Sequence, residues 1–160
     1  RVRIELVKQL AHAAGPDGLC GGQMLDLIGE HEEFDVGTIS RMQRMKTGKL
    51  MAFACEAGAI LGKSDEPHKK ALCNFAHDLG LAFQVTDDVL DLDADPEETG
   101  KPANQDAAAG KSTFVTTMGK DAAQMRAEML VGQAKRHLKV FGNRGETLSE
   151  LAEYVLRRRA

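Results

Sequence analysis

Three aspartates within five residues, Asp87, Asp88 and Asp91, are the side chains in this chain best suited to chemistry. At 3.6 residues per turn they share one helical stripe with Gln84. The neighbouring Leu79, Leu81, Ala82, Phe83, Val85, Val89 and Leu90 are apolar, and a helix that is apolar nearly all round is buried. The stripe is therefore expected to line a cavity. Like charges at i and i+4 cost roughly 0.2–0.5 kcal/mol in water, and more when desolvated. Residues 71–100 hold eight carboxylates and no Lys or Arg, so the helix brings no basic partner of its own. A hard cation relieves that repulsion, and carboxylate oxygens are what Mg²⁺ prefers. The later acids Asp93, Asp95, Glu97 and Glu98 read as a solvated helix end. Asp91-x-Asp93-x-Asp95 opens like a Ca²⁺ loop, but its sixth position is Pro96 and its twelfth is Pro102. Such a loop needs Gly and a bidentate Glu there.

Two lysine motifs complement the acids. Gly110-Lys111-Ser112-Thr113 ends like a nucleotide P-loop, yet Gln105 stands where the first Gly is required and no strand precedes it. What survives is a lysine at the start of a helical segment, suited to a phosphate oxygen. Lys46-Thr47-Gly48-Lys49 falls inside a helical pattern, where Gly costs about 1 kcal/mol against Ala. Gly48 is expected to permit close helix approach or local unwinding. Each motif alone reads as a surface lysine. Beside an acidic cavity they suggest Mg²⁺ and a phosphorylated ligand.

The elements that must hold these residues are helices throughout. Val2, Leu6 and Leu10 share a face of a first helix that stops at Gly15-Pro16-Asp17-Gly18. A second covers Leu19–Ile28, and a third runs from near Asp35 to about Leu61. Pro67 suits the first turn of a fourth, which continues to Leu92. Residues 93–110 read as a long loop of the kind that is often functional. A short apolar segment at Phe114, Val115 and Met118 follows, then a helix from Asp121 to about Val140. Thr147-Leu148-Ser149-Glu150 matches a capping box and is expected to open the last helix. With 160 residues, 42 % hydrophobic and 28 % charged, the chain can bury a core and is not disordered. A net charge of −3 argues against a nucleic-acid binder, and no apolar run reaches membrane length. The three scattered cysteines, Cys20, Cys55 and Cys73, fit buried reduced thiols in the cytosol. The expected fold class is all-α.

Phe83-Gln84-Val85-Thr86-Asp87-Asp88-Val89-Leu90-Asp91 resembles the second aspartate-rich motif of the trans-prenyltransferases, the isoprenyl (polyprenyl) diphosphate synthases. Gly21-Gly22-Gln23-Met24-Leu25-Asp26, Lys46-Thr47-Gly48, Thr99-Gly100-Lys101, Asp106 and Gly110-Lys111-Ser112-Thr113 stand around it in the family's order. The wording is most similar to bacterial short-chain, farnesyl-type members, and the likeness covers nearly the whole chain.

The resemblance implies an all-α bundle around a central cavity, here incomplete. It implies a cytoplasmic, homodimeric enzyme that joins an allylic diphosphate (dimethylallyl or geranyl) to isopentenyl diphosphate, giving farnesyl diphosphate and pyrophosphate. Ions and lysines neutralise the departing pyrophosphate, and the allylic cation that results is attacked by isopentenyl diphosphate. By motif, Asp87 would ligate Mg²⁺, with Asp88 and Asp91 beside it; one of the family's three ions is expected from the residues present. Lys46 and Lys101 would grip the diphosphate, with Lys111 behind them. Oxygens of Thr47 and Gln84 would face the developing cation. Phe83 is expected along the substrate pocket, Gln23 and Asp26 as pocket wall or support, and Arg158, within Arg157–Arg159, as closing over the isopentenyl site or as part of a frayed basic helix end. The family's first aspartate-rich motif is absent before residue 87. The chain thus reads as the C-terminal half of one polyprenyl synthetase domain, inactive alone. A longer-chain synthase (geranylgeranyl or octaprenyl) and a non-catalytic regulatory helical subunit are the competing expectations.

Overall fold

A computed structural model describes residues 1–93 and 112–158. Among them every regular element is helical: α1 Val2–Ala14, α2 Leu19–Ile28, α3 Val36–Gln43, a π-helical turn Arg44–Gly48, and α4 Lys49–Leu61. Then come α5 Glu66–Asp93, α6 Phe114–Met118, α7 Lys120–His137, a 3₁₀ stretch Leu138–Gly145 and α8 Glu146–Arg157. The all-α expectation holds. Apart from Asp93, which ends α5, the expected loop over 93–110 lies outside the described residues, as do Lys101, Lys111 and Arg159.

The long helix α5 is the axis of the molecule. Asp65 precedes it and accepts a hydrogen bond from the His68 N–H at 3.0 Å, satisfying one of the free donors of the first turn. Pro67 follows inside that turn, where a missing N–H costs nothing. Phe75, Ala76, Leu79, Leu81, Ala82, Val85 and Val89 are all buried. They pack with Ala52 of α4, with Ala123, Ala127, Leu130, Val131 and Ala134 of α7, and with Ala152 and Val155 of α8. A hydrogen-bonded contact between His137 Nε2 and Asp78 Oδ2, 3.1 Å, adds a polar tie between α7 and α5.

The expected third helix divides into α3, the π turn and α4. Asp35 starts it by accepting from the Thr38 N–H at 2.7 Å. The π turn coincides with Arg44-Met45-Lys46-Thr47-Gly48, so the wider i→i+5 hydrogen bonding falls on the lysine motif itself. Both expectations for Gly48 are met there. A Cβ added to Gly80 of α5 would lie 3.1 Å from Gly48 Cα, so this turn is pressed against α5. A Cβ on Gly22 of α2 would fall 2.2 Å from Lys46 N, so α2 presses on the other side.

Three expectations are corrected. The helix after Asp121 ends at His137 rather than near Val140, because Gly142, at φ 56°, breaks the helical path. The last helix opens at Glu146 behind Gly145, without the Thr147–Glu150 capping box. Gly145 lies against Leu138, its Cβ position 3.1 Å from Leu138 O, so this turn over Leu138 begins the helix before Thr147 is reached. The capping box occurs instead at Thr113, which accepts from the Thr116 N–H at 3.1 Å and starts α6. Of the cysteines, Cys20 is exposed and Cys55 and Cys73 are half-buried. The face of α2 turned to the π turn is occupied by Gly22 and Asp26, which leaves Cys20 outward.

Glycine at 22 is a packing requirement. Gly22→Ala should be destabilising, because overpacking against backbone costs about 1–3 kcal/mol and outweighs the roughly 1 kcal/mol helix gain. Gly132→Ala, also inside a helix but with nothing within 4 Å of its Cβ position, should stabilise by about 0.5–1 kcal/mol. Urea midpoints of the two variants measure both effects; equal shifts would contradict the packing assignment.

Candidate active site

Three elements meet at the lysine motif. Gly22 lets α2 approach the backbone at Lys46, and one turn later Asp26 faces the same residue. Lys46 Nζ donates to Asp26 Oδ2 at 2.8 Å, and Gln23 Nε2 donates to the same oxygen at 3.4 Å. Asp26 is buried while Lys46 remains about one-third exposed. The carboxylate therefore fixes the direction of the ammonium and leaves part of the side chain facing solvent. Gln23 is thus tied to Lys46 through Asp26.

The aspartate stripe does not act as one cluster. Asp87 and Asp88 are 100° apart on α5, and they face different partners. Asp88 is buried and accepts from the Phe114 N–H at 2.8 Å. It shares a cavity of about 30 Å³ with Asp26, Gln43, Ser112 and Thr113, while Ser112 Oγ accepts from the Phe34 N–H at 3.1 Å. The downstream end of the Gly110–Thr113 motif, at Ser112 and Thr113, is thus joined to the aspartate helix and to the segment leading into α3. Asp91 is half-buried one turn beyond Asp87.

Asp87 meets a basic partner from elsewhere in the chain. Arg158, just past α8, pairs through Nη2 with Asp87 Oδ1 and donates to the Phe83 carbonyl at 3.1 Å. Its guanidinium carbon stands 3.9 Å from the Phe83 ring centroid, a cation–π distance. Gln84 Nε2 donates to the other Asp87 oxygen at 3.1 Å. Burial pushes the Asp87 carboxyl above its ordinary value, with Arg158 pulling it the other way. Its side chain is still 41 % exposed, against 9 % for Arg158, so the carboxylate presents an open side. Phe83, Gln84, Asp87 and Arg158 form one contact group. Among the described residues no set of three His, Cys, Asp or Glu is placed to hold a metal ion.

The polyprenyl synthetase family pattern matches residues 2–151. This chain belongs to the polyprenyl synthetase family. It is 35 % identical over 157 residues to the farnesyl diphosphate synthase of Geobacillus stearothermophilus, covering 98 % of this chain and 53 % of that protein. The apo structure of an FPP/GFPP synthase from Zymomonas mobilis superposes with a TM-score of 0.84 at 41 % identity, over 96 % of this chain and 51 % of that one. A geranyltransferase of Helicobacter pylori, solved with magnesium and isoprenyl diphosphate, gives 0.82 at 30 % identity, over 98 % and 51 %. The chain thus spans about half the length of the curated relatives it matches.

Against this fold, sequence reasoning placed Lys46, Gln84, Asp87, Phe83 and Arg158 among the site residues. It missed the Asp26–Lys46 bond and the role of Asp88 in holding α6. Gly22 and Asp26, one helical turn apart in Gly21-Gly22-Gln23-Met24-Leu25-Asp26, were the available signal for the first. Nothing local to residue 88 announced the second, since its partner is a backbone N–H 26 residues away.

Removal of that carboxylate should tell the two aspartates apart. Asp88→Ala leaves a buried N–H unpaired and should cost about 1–3 kcal/mol of stability, whereas Asp88→Asn keeps an acceptor and should cost less. Asp87→Asn, at a half-exposed position and with an acceptor oxygen left for the buried Arg158, should leave stability closer to the parent. Chemical denaturation of the three variants checks the order.

Proposed function

We propose that this chain is the C-terminal part of a trans-prenyltransferase domain that joins an allylic diphosphate to isopentenyl diphosphate and releases pyrophosphate. Farnesyl diphosphate, from dimethylallyl or geranyl diphosphate, is the product we assign. The farnesyl diphosphate synthase relative supports it. A longer product is the second reading, favoured by the likeness to an FPP/GFPP synthase. The observation that carries the proposal is the seating of the Lys46-Thr47-Gly48 turn on α5 at Gly80. Gln84 follows that contact by one turn and Asp87 by two, so the lysine motif and the carboxylate belong to one site.

The donor set fits Mg²⁺. Asp87 offers a partly open carboxylate on an otherwise apolar helix, and this ion is held by one or two carboxylates with phosphate oxygens completing its shell. Asp87 would hold it, with Asp91 one turn on and Asp88 beside them, one of whose oxygens also accepts from the Phe114 N–H. When bound, Mg²⁺ supplies positive charge opposite the departing pyrophosphate. The remaining work falls to this chain's own residues. Lys46, aimed by Asp26, takes a diphosphate oxygen and holds the leaving group where charge develops. Lys101 and Lys111 are assigned the same task. Thr47 and Gln84 turn oxygens to the allylic cation and keep water from it. Arg158 covers Phe83 and Asp87 at the C-terminal edge. We further propose a cytoplasmic homodimer for the intact protein; no described helix is long and apolar enough to cross a membrane.

Intact protein incubated with Mg²⁺, isopentenyl diphosphate and geranyl diphosphate should yield a C15 diphosphate by chromatography. Asp87→Ala and Lys46→Ala should each lower turnover by about 10²–10³-fold, the loss typical when one electrostatic contact to developing charge is removed. A longer product moves the protein to the second reading, and no product from folded, intact protein overturns the prenyltransferase reading. The 160-residue chain alone should show no turnover in the same assay.

A further inference from the structure

The α4–α5 hairpin carries a feature that the proposed reaction does not use. Gly48, Ala52, Cys55 and Ala59 recur at steps of four, three and four, and so share one face of the π turn and α4. On α5, Lys69, Cys73, Ala76 and Gly80 repeat the same steps. The two helices are joined by residues 62–65 and run antiparallel, so each step up one is a step down the other. The contact of Gly80 with Gly48 fixes the register, 3.1 Å from the Gly80 Cβ position to Gly48 Cα. Seven residues along each helix from that contact, Cys73 comes opposite Cys55. The buried pair Ala76 and Ala52 lies between the two levels. Beyond the cysteines the hairpin is held together by the ion pair Lys69–Glu56 at 3.0 Å. The hairpin is therefore tied at both ends, with Ala52 and Ala76 between the glycine contact and the cysteines.

Electrostatics agree with this register. The Cys55 thiol is influenced by Cys73, and the Cys73 thiol by Glu56, the neighbour of Cys55. A disulfide needs Cα atoms about 4.4–6.8 Å apart. Facing helices reach that separation where glycine and alanine line the contact. Cys20 lies exposed on α2 and outside this seam.

We propose that Cys55 and Cys73 form a paired-thiol site that closes to an intrachain disulfide across the α4–α5 hairpin. The oxidant class is a low-molecular-weight disulfide such as oxidised glutathione. The thiolate of one cysteine attacks it, forms a mixed disulfide and releases one reduced glutathione. The thiolate of the other then attacks the protein sulfur of that mixed disulfide and releases the second. Two protein thiols are oxidised to one disulfide, one glutathione disulfide is reduced to two thiols, and the two protons end on the released thiols. The bond would pin α4 to α5 two turns from the Gly48–Gly80 contact, fixing the hairpin that carries the Lys46 turn and Asp87. Burial raises both thiols above their ordinary value. They are therefore protonated at neutral pH, and closure should quicken as pH rises.

The test uses the intact protein in a Cys20→Ala background, exposed to oxidised glutathione at pH 7 and pH 8.5 and digested without reductant. Mass spectrometry should find the Cys55 peptide joined to the Cys73 peptide, faster at the higher pH and reversed by dithiothreitol. Cys73→Ala should leave Cys55 free or singly glutathionylated. Two separate glutathione adducts, a linkage between chains, or two thiols still free after long exposure would each overturn the proposal. Peptide mapping of the unsubstituted protein gives the same answer should the variants fold poorly.

Discussion

The close approach of Gly48 and Gly80 is the constraint on which the rest of the site depends. Backbone meets backbone there because neither residue has a side chain, and any larger residue at 80 would push against Gly48 and Met51. The chain reaches that contact by leaving α-helical geometry for five residues. A π turn carries one more residue per hydrogen-bonded ring than an α turn, so it alters which side chains face α5. Lys46 and Thr47 sit in that turn, and Gln84 and Asp87 follow Gly80 on the opposite helix. The local loss of regular helix and the assembly of the site are one event. Gly22 extends it, bringing α2 onto Lys46 from the far side.

Charge is compensated within the site in two separate pairs. Asp26 holds Lys46, and Arg158 holds Asp87. In each pair one partner is buried and the other stays open: the acid is buried in the first, the base in the second. The open groups are thus one ammonium and one carboxylate. An anionic diphosphate carrying a divalent cation has the complementary pair of charges. Under the proposed function, such a ligand meets groups already oriented by their buried partners, and orientation before binding is what makes electrostatic stabilisation effective. The Phe83 ring adds an apolar wall beneath the guanidinium, worth about 0.5–2 kcal/mol as a cation–π contact.

Local rules carried much of the fold into view. The bounds of α1 and α2 and the start of α5 follow from breaker residues and apolar spacing, because each is set by its own sequence. The C-terminal turn did not follow. Thr147 and Glu150 have the spacing of a capping box, but Gly145 packs over Leu138 and starts α8 early, so a tertiary contact prevails over a local motif. The same distinction applies to the site. Residue type and helical period placed Asp87, Asp88 and Asp91 on one stripe. Which partner Asp87 and Asp88 each take depends on Arg158 and Phe114, 71 and 26 residues distant. Helical periodicity is silent on such separations.

Packing within the described residues is uneven, and the site lies where it is densest. Around α5 the apolar side chains of α4, α7 and α8 are withdrawn from solvent, many of them completely. Along α1 only Ala13 is buried, while Ile4 and Val7 are 75 % and 68 % exposed. Apolar burial is worth roughly 25 cal/mol per Å², so α5 is held by many such increments and α1 by few. Local opening is cheapest where burial is least, so among the described helices α1 is expected to fray before α5. The Lys46 turn and the Asp87 segment are anchored on α5 and open only with the core. Under the proposed function, a site that must keep water from a reactive cation needs that rigidity, and α5 supplies it by being the helix on which the other core elements pack.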